Sequence, residues 1–311
     1  MDERTMKALP ILLVLGCTWG ASFLFIKVVV DDTGPLELVL GRMSFGLLAV
    51  SGFMVATKRR PQVTPKLLAQ MSGMAILANV IPFGLIAWGE EHIPSGTASI
   101  LNATVPIFTA AIAAGVLAEE RFTAPRAAGL VLAFLGVAVL TGDDVLDITS
   151  SNVLGQLACV GAAACYGVGA VYARILLRGQ DPVNLSFLQL GLGIVFTVPL
   201  LLVVMGGSPD VNVQPEAWAS VVALGMLGTG FGYIGWLWLI ENMGSVRASL
   251  VTYIVPIVAV VLGWLVLDES IGANTVAGGL LVVAGVASAM RGAVPARQGR
   301  SEPVVAAAAG R

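Results

Sequence analysis

Ten stretches of the chain, 8–30, 36–57, 67–89, 95–117, 124–141, 153–175, 185–205, 217–240, 246–267 and 273–290, are each long and apolar enough to cross a bilayer. A hydrocarbon core of about 30 Å takes roughly 20 apolar residues in a helix. Inside it every backbone amide and carbonyl must find a partner, which a helix provides within its own segment. The connections are short and rich in Gly, Pro, Asp and Asn, so no soluble domain of any size fits between spans. Only 12% of the 311 residues are charged, against about 25% in soluble domains. The first stretch follows Arg4 and Lys7 as a signal peptide would, but it is long enough to span and reaches no small-residue cleavage site, so it reads as helix 1. Residues 291–311 read as a disordered tail.

The basic residues orient the spans. With a cytoplasmic N-terminus, the inner segments hold 15 of the 17 Lys and Arg, while the outer loops hold none and carry Asp31, Asp32, Glu90, Glu91, Asp143, Asp144, Asp147, Asp210, Glu216, Asp268 and Glu269. The positive-inside rule then places both termini in the cytoplasm. The two remaining cations, Lys27 and Arg42, fall in the outer parts of helices 1 and 2. Lys27 is near enough to the end to snorkel, whereas Arg42 lies deeper and needs a partner or water.

The chain also repeats itself. At a constant offset of 150, residues 91–122 match 241–272 at ten of 32 positions. The matches include Glu91 with Glu241, Ser95 with Ser245, Ala98-Ser99 with Ala248-Ser249, Val105-Pro106-Ile107 with Val255-Pro256-Ile257, and Glu119 with Glu269. With small shifts the match extends to Trp19-Gly20 on Tyr166-Gly167, Lys27 on Arg174, Pro35 on Pro182, Trp88 on Trp238, and Gly129 with Gly136 on Gly278 with Gly285. Helices 1–5 (residues 1–147) therefore recur as helices 6–10 (residues 148–290). Because five is odd, the second copy enters the membrane from the opposite side. Such inverted repeats supply transporters with two exchangeable conformations around a site near the midplane.

Two prolines mark that site. Pro106 and Pro256, in helices 4 and 9, lack an amide hydrogen and free the carbonyls of Asn102 and Thr252. Ser99, Asn102 and Pro106 share one helix face at i, i+3 and i+7, and so do Ser249, Thr252 and Pro256. Irregular backbone at this depth is tolerated where it is buried in protein or lines an aqueous cavity. Trp19, Tyr166 and Tyr233 are mid-span aromatics and candidate cavity walls, with ordinary helix packing the alternative; Asn79 and Pro82 add a polar group and a bend in helix 3. Trp88 and Trp238, at span ends, fit an interfacial belt.

Other chemistry is missing. No Asp or Glu lies near the middle of a span and the single histidine, His92, is in a loop, so no acidic proton relay is read. The polar stripes hold no Lys or Arg, which disfavours phosphorylated solutes. No nucleotide-binding loop, metal-spaced cluster or catalytic constellation is present, and no cofactor, metal or nucleic-acid partner is expected. Cys17, Cys159 and Cys165 read as small buried apolar residues.

The run Trp19-Gly20, Pro35 with Arg42, Ala98-Ser99 to Pro106 to Glu119, its recurrence as Ala248-Ser249 to Pro256 to Glu269, and the paired glycines resemble the drug/metabolite transporter superfamily, specifically its EamA-type ten-helix branch. The resemblance covers nearly all of the chain except the tail. It implies a basket of ten helices around a central cavity lined by helices 1, 3, 4, 6, 8 and 9, working by alternating access. It also implies a substrate range from amino acids and related metabolites to nucleotide sugars, triose phosphates and cationic drugs.

The expectation is an all-α exporter or facilitator of amino acids and similar zwitterions in a bacterial inner membrane, with the oligomeric state left open and a monomer sufficing. Asn102 and Thr252 are expected to receive the ammonium group, Asn79 to help hold the carboxylate, and Trp19, Tyr166 and Tyr233 to pack on the side chain. Pro82, Pro106 and Pro256 are the expected bends. The alternatives are a broad multidrug or metabolite facilitator and a scaffold or receptor that transports nothing.

Overall fold

The structure, a computed structural model, describes residues 3–116, 123–142, 149–177, 179–205, 213–243 and 251–291. The disordered tail expected after Arg291 lies outside the described residues, as do Glu119, Ser245, Ala248 and Ser249.

The described residues form helices, with no strand among them. They fall into ten segments: α1 (Glu3–Val30), α2 (Pro35–Ala56), α3 (Pro65–Glu90), α4 (Ser95–Val116), α5 (Ala124–Thr141), α6 (Ser151–Leu176), α7 (Pro182–Met205), α8 (from Pro215–Ala223 through Gly232–Met243), α9 (Val251–Val266) and α10 (Ala273–Arg291). Eight are long and apolar enough to cross a membrane; α9 and α10 are shorter apolar helices. Pro35, Pro65, Pro182 and Pro215 each stand at the first helical position, where a fixed φ and a missing donor do no harm, and the helices begin one to three residues earlier than apolarity alone suggests. Thr64 Oγ1 and Ser150 Oγ accept the amides of Leu67 at 3.2 Å and Val153 at 3.3 Å, capping α3 and α6. Gly142 ends α5 at a φ of +64°, which a residue with a Cβ adopts only with strain.

The two halves interleave. α1 packs on α9 and α8, α2 on α8 and α7, α3 on α6 and α7, α4 on α6 and α9, and α5 on α10. Small residues bring the backbones together. A Cβ built on Gly20 would fall 2.6 Å from Val258 Cβ, and one on Gly167 2.8 Å from Phe108 Cβ. Along α5 and α10, a Cβ on Gly129 would lie 2.5 Å from Gly285 O, and one on Gly278 2.7 Å from Gly136 O. Such close approach is how helices gain contact where lipid removes the hydrophobic drive to associate. Val55, Val203, Leu280 and Ile257 stand exposed, an apolar surface suited to acyl chains.

Two helices carry an irregularity that apolarity did not announce. In α3, Pro82 has no amide to donate, and just before it the helix widens into a π-helical turn, Ile76–Val80, in which the Ile81 amide donates to Ile76 O. In α8 the π-helical stretch is Leu224–Phe231, where Gly225, Gly228 and Gly230 leave room for α2 and α1. α4 is interrupted at Ala103-Thr104, directly before Pro106. The expected bend at Pro256 is different: α9 runs unbroken from Val251 through Pro256 to Val266. A proline inside a membrane helix need not interrupt it, because neighbouring helices re-satisfy the freed backbone groups.

Candidate functional site

The π-helical turns place polar side chains inside the bundle. From α2, the buried Arg42 donates through Nε to Thr229 Oγ1 at 2.9 Å, on the π-helical part of α8. Its guanidinium lies over the Phe83 ring, 3.9 Å from the centroid, a cation–π contact strengthened by the burial of Arg42. Tyr166 of α6 and Tyr233 of α8 lie within electrostatic range of the same guanidinium. Among the described residues Thr229 is the one hydrogen-bond acceptor of Arg42, so the terminal amino groups of its fork have no protein acceptor.

The matching corner of the bundle is neutral. Gln189 of α7 donates through Nε2 to Asn79 Oδ1, on the π-helical turn of α3, and both side chains are buried. Asn79 Nδ2 is buried without a partner, and the Tyr233 side chain lies beside it. Trp19 of α1 donates from Nε1 to Gly228 O at 2.8 Å, meeting a carbonyl in the π-helical stretch, and its ring is tilted against Trp236 at 5.5 Å. Asn102, at the interruption of α4, keeps Oδ1 buried without a donor. Thr252 is half-buried on the first turn of α9.

Of the expected residues, Asn79, Tyr166 and Tyr233 come together, while Trp19 joins them through α8 and Asn102 and Thr252 stand on separate helices. Sequence reasoning left cations out of the polar stripes; the structure sets Arg42 against Thr229 and Phe83 inside the bundle. Gln189 was also missed. Both sit seven residues after a helix-opening proline, Pro35 and Pro182, and that shared spacing was the available signal. The described pockets lie elsewhere. One small crevice is bounded by Pro94, Thr97, Val260 and Glu269 at one end of the bundle, and another lies among α4, α5 and α6.

The end of the bundle at the α1–α2, α3–α4 and α9–α10 connections holds a second polar group. Lys27 Nζ donates to Glu90 O at 2.6 Å and pairs with Asp31 at 3.5 Å. Asp268 adopts a left-handed φ of 53°, which costs about 1–2 kcal/mol in a residue with a Cβ, and it turns the chain back so that Glu269 N donates to Gly263 O at 3.1 Å. The Glu269 carboxylate then accepts the first amides of α4, Ser95 N at 2.7 Å and Gly96 N at 3.2 Å, where the helix dipole favours an anion. Beside this group Glu91 is partly desolvated, which raises its pKa above the ordinary carboxylate value.

The model of the EamA-like transporter family matches residues 6–142 and again 153–291. The chain belongs to the EamA-like transporter family. Among its EamA relatives, the probable terminal-alkyne amino-acid exporter of Streptantibioticus cattleyicolor is 30% identical over 96% of this chain and 99% of its own. The uncharacterized transporter YoaV of Bacillus subtilis is 26% identical over 86% and 91%. The uncharacterized inner membrane transporter YedA of Escherichia coli is 25% identical over 84% of each chain. A solved crystal structure covering 91% of this chain and 97% of its own superposes with a TM-score of 0.63 at 18% identity, which speaks for the fold. The chain is thus a multi-pass membrane transporter, and its EamA relatives are transporters rather than enzymes.

Proposed function

We propose that this EamA protein is a secondary transporter of amino acids and related small zwitterions. In this reading ten spans form two inverted five-helix copies, residues 1–147 and 148–290, with both termini cytoplasmic in a bacterial inner membrane. Three pairs of contacts support the inversion, because exchanging the halves turns each member into the other: Gly20 with Val258 and Gly167 with Phe108, Arg42 with Thr229 and Gln189 with Asn79, Gly129 with Gly285 and Gly278 with Gly136.

The observation that carries the substrate class is the Arg42 fork. A buried guanidinium held by one hydrogen bond and one ring has donors left for a planar anion, and carboxylate is the anion its geometry matches bidentately. Asn79 Nδ2, beside Tyr233, is a further amide donor, and Asn102 Oδ1 an unpartnered acceptor suited to an ammonium. One surplus cation with a buried acceptor fits a zwitterion better than a phosphate ester, which calls for more positive charge. Trp19, Tyr166 and Tyr233 supply the apolar wall, and the interruption at Pro106 the flexible joint. The relative named as a probable amino-acid exporter points the same way.

Counterflow in proteoliposomes, with labelled amino acids, sugars, nucleotides and cationic dyes, tests this. Amino acids should exchange and be competed by each other but not by their amides or esters. Equal competition by the amides removes the carboxylate site. Unchanged transport in Asn102→Ala and Thr252→Ala, alone and together, removes the ammonium site.

A further inference from the structure

Glu90, the last residue of α3, is fully buried, and neither carboxylate oxygen has a hydrogen-bond partner. The groups around it are spoken for. Lys27 of α1 spends its ammonium on the backbone carbonyl of Glu90 and on Asp31. Arg42 of α2 is bonded to Thr229 and lies over Phe83. The Glu269 carboxylate, which repels that of Glu90, is satisfied by the amides of Ser95 and Gly96. Cys159 of α6 is buried against Gly89, next to Glu90. Ser95 Oγ, fully buried in the same cluster, also lacks a partner.

A carboxylate held without donors and out of water is strongly disfavoured as an ion and neutralises instead. We propose that Glu90 is a proton-binding site of the closed state of this end of the bundle. The carboxyl carries a proton while α1, α3, α4 and the α9–α10 connection are packed as here, and gives it to water when they part. An O–H bond forms on closure with a proton from the adjacent solution, and it is returned on opening. Because the two states then differ by one bound proton, the closed-to-open ratio shifts by up to about tenfold per pH unit. In the orientation proposed above this is the external end, so external acid holds the transporter shut to the outside. The inference needs the protein to alternate between states, as its family membership implies, and does not depend on which solute it carries.

The test is pH-dependent infrared difference spectroscopy on the full-length protein in lipid vesicles, as wild type, Glu90→Gln and Glu269→Gln. At about pH 7, where ordinary carboxyls are ionised, the wild type should show a protonated-carboxyl stretch that Glu90→Gln lacks and Glu269→Gln retains. Absence of the band in the wild type, or its persistence in Glu90→Gln, overturns the proposal. Should Glu90→Gln fail to reconstitute, carboxyl-13C glutamate labelling of the wild type decides: the band must move, and a band that stays belongs to another group. The spectrum requires no solute, so failure of the amino-acid reading leaves this result standing.

Discussion

The α2–α8 contact and the α7–α3 contact occupy corresponding places in the two halves and differ by one charge. Arg42 meets Thr229 in the first, and Gln189 meets Asn79 in the second. The architecture needs only a hydrogen bond from α2 or α7 into a π-helical turn, which the neutral pair provides. The charge is therefore surplus to packing. A buried cation is expensive to keep, and in the proposed function its presence in one half alone is what receives the substrate's carboxylate. The same contrast separates the proline helices, since α4 is interrupted before Pro106 whereas α9 continues through Pro256. A repeat supplies the frame, and departures from it locate the function.

The most severe way to break the comparison is Arg42→Gln, which gives both corners the same residue. Removing one partner of a buried charge-assisted contact costs about 2–5 kcal/mol, so amino-acid counterflow should fall by about 30-fold or more. Gln189→Asn, which shortens the neutral partner, should leave counterflow within a few-fold of wild type. Equal losses would make both corners structural. Next come the glycines where the halves agree. Gly129→Val and Gly278→Val press a larger side chain into the same kind of α5–α10 contact, and each should lower stability by about 1–3 kcal/mol in thermal unfolding in detergent; a strongly unequal pair would argue against the two-fold relation. Trp19→Phe removes the donor to Gly228 O and should cost about 1 kcal/mol, while its counterpart Tyr166→Phe, whose hydroxyl has no bond of that kind, should cost less. The smallest effect separates the prolines. Pro256→Ala restores a backbone donor to a continuous helix and should leave counterflow near wild type, whereas Pro106→Ala stiffens the interrupted α4 and should slow it, as read from initial rates.

Much of the fold was legible in the chain because a bilayer leaves few options. Apolar length located every described helix to within a few residues at most ends; α1 begins earlier than its apolar part, and the described part of α9 is shorter than its apolar stretch. The site was only partly legible. Asn79, Tyr166 and Tyr233, which the structure brings together, were singled out as candidates because polar and aromatic residues are conspicuous in mid-span. Arg42 and Gln189 were missed because they sit on α2 and α7, which the resemblance does not count among the cavity helices. The π-helical turns were also invisible, since a register shift of one hydrogen bond leaves no periodic trace, and only Pro82 hinted at one of them.

By itself the sequence determined that this protein lies in a membrane, that its halves are related, and where prolines remove a donor from the helical hydrogen-bond ladder. Those properties follow from solvent, composition and local backbone chemistry, each of which acts on a residue and its near neighbours. Only the tertiary structure decided that Arg42 meets Thr229 and Phe83 rather than a loop, that Glu269 crosses 174 positions to cap α4, and that Glu90 is sealed without a donor. A side chain's charge is written in the chain, but the groups that satisfy it or leave it unsatisfied are brought by other helices.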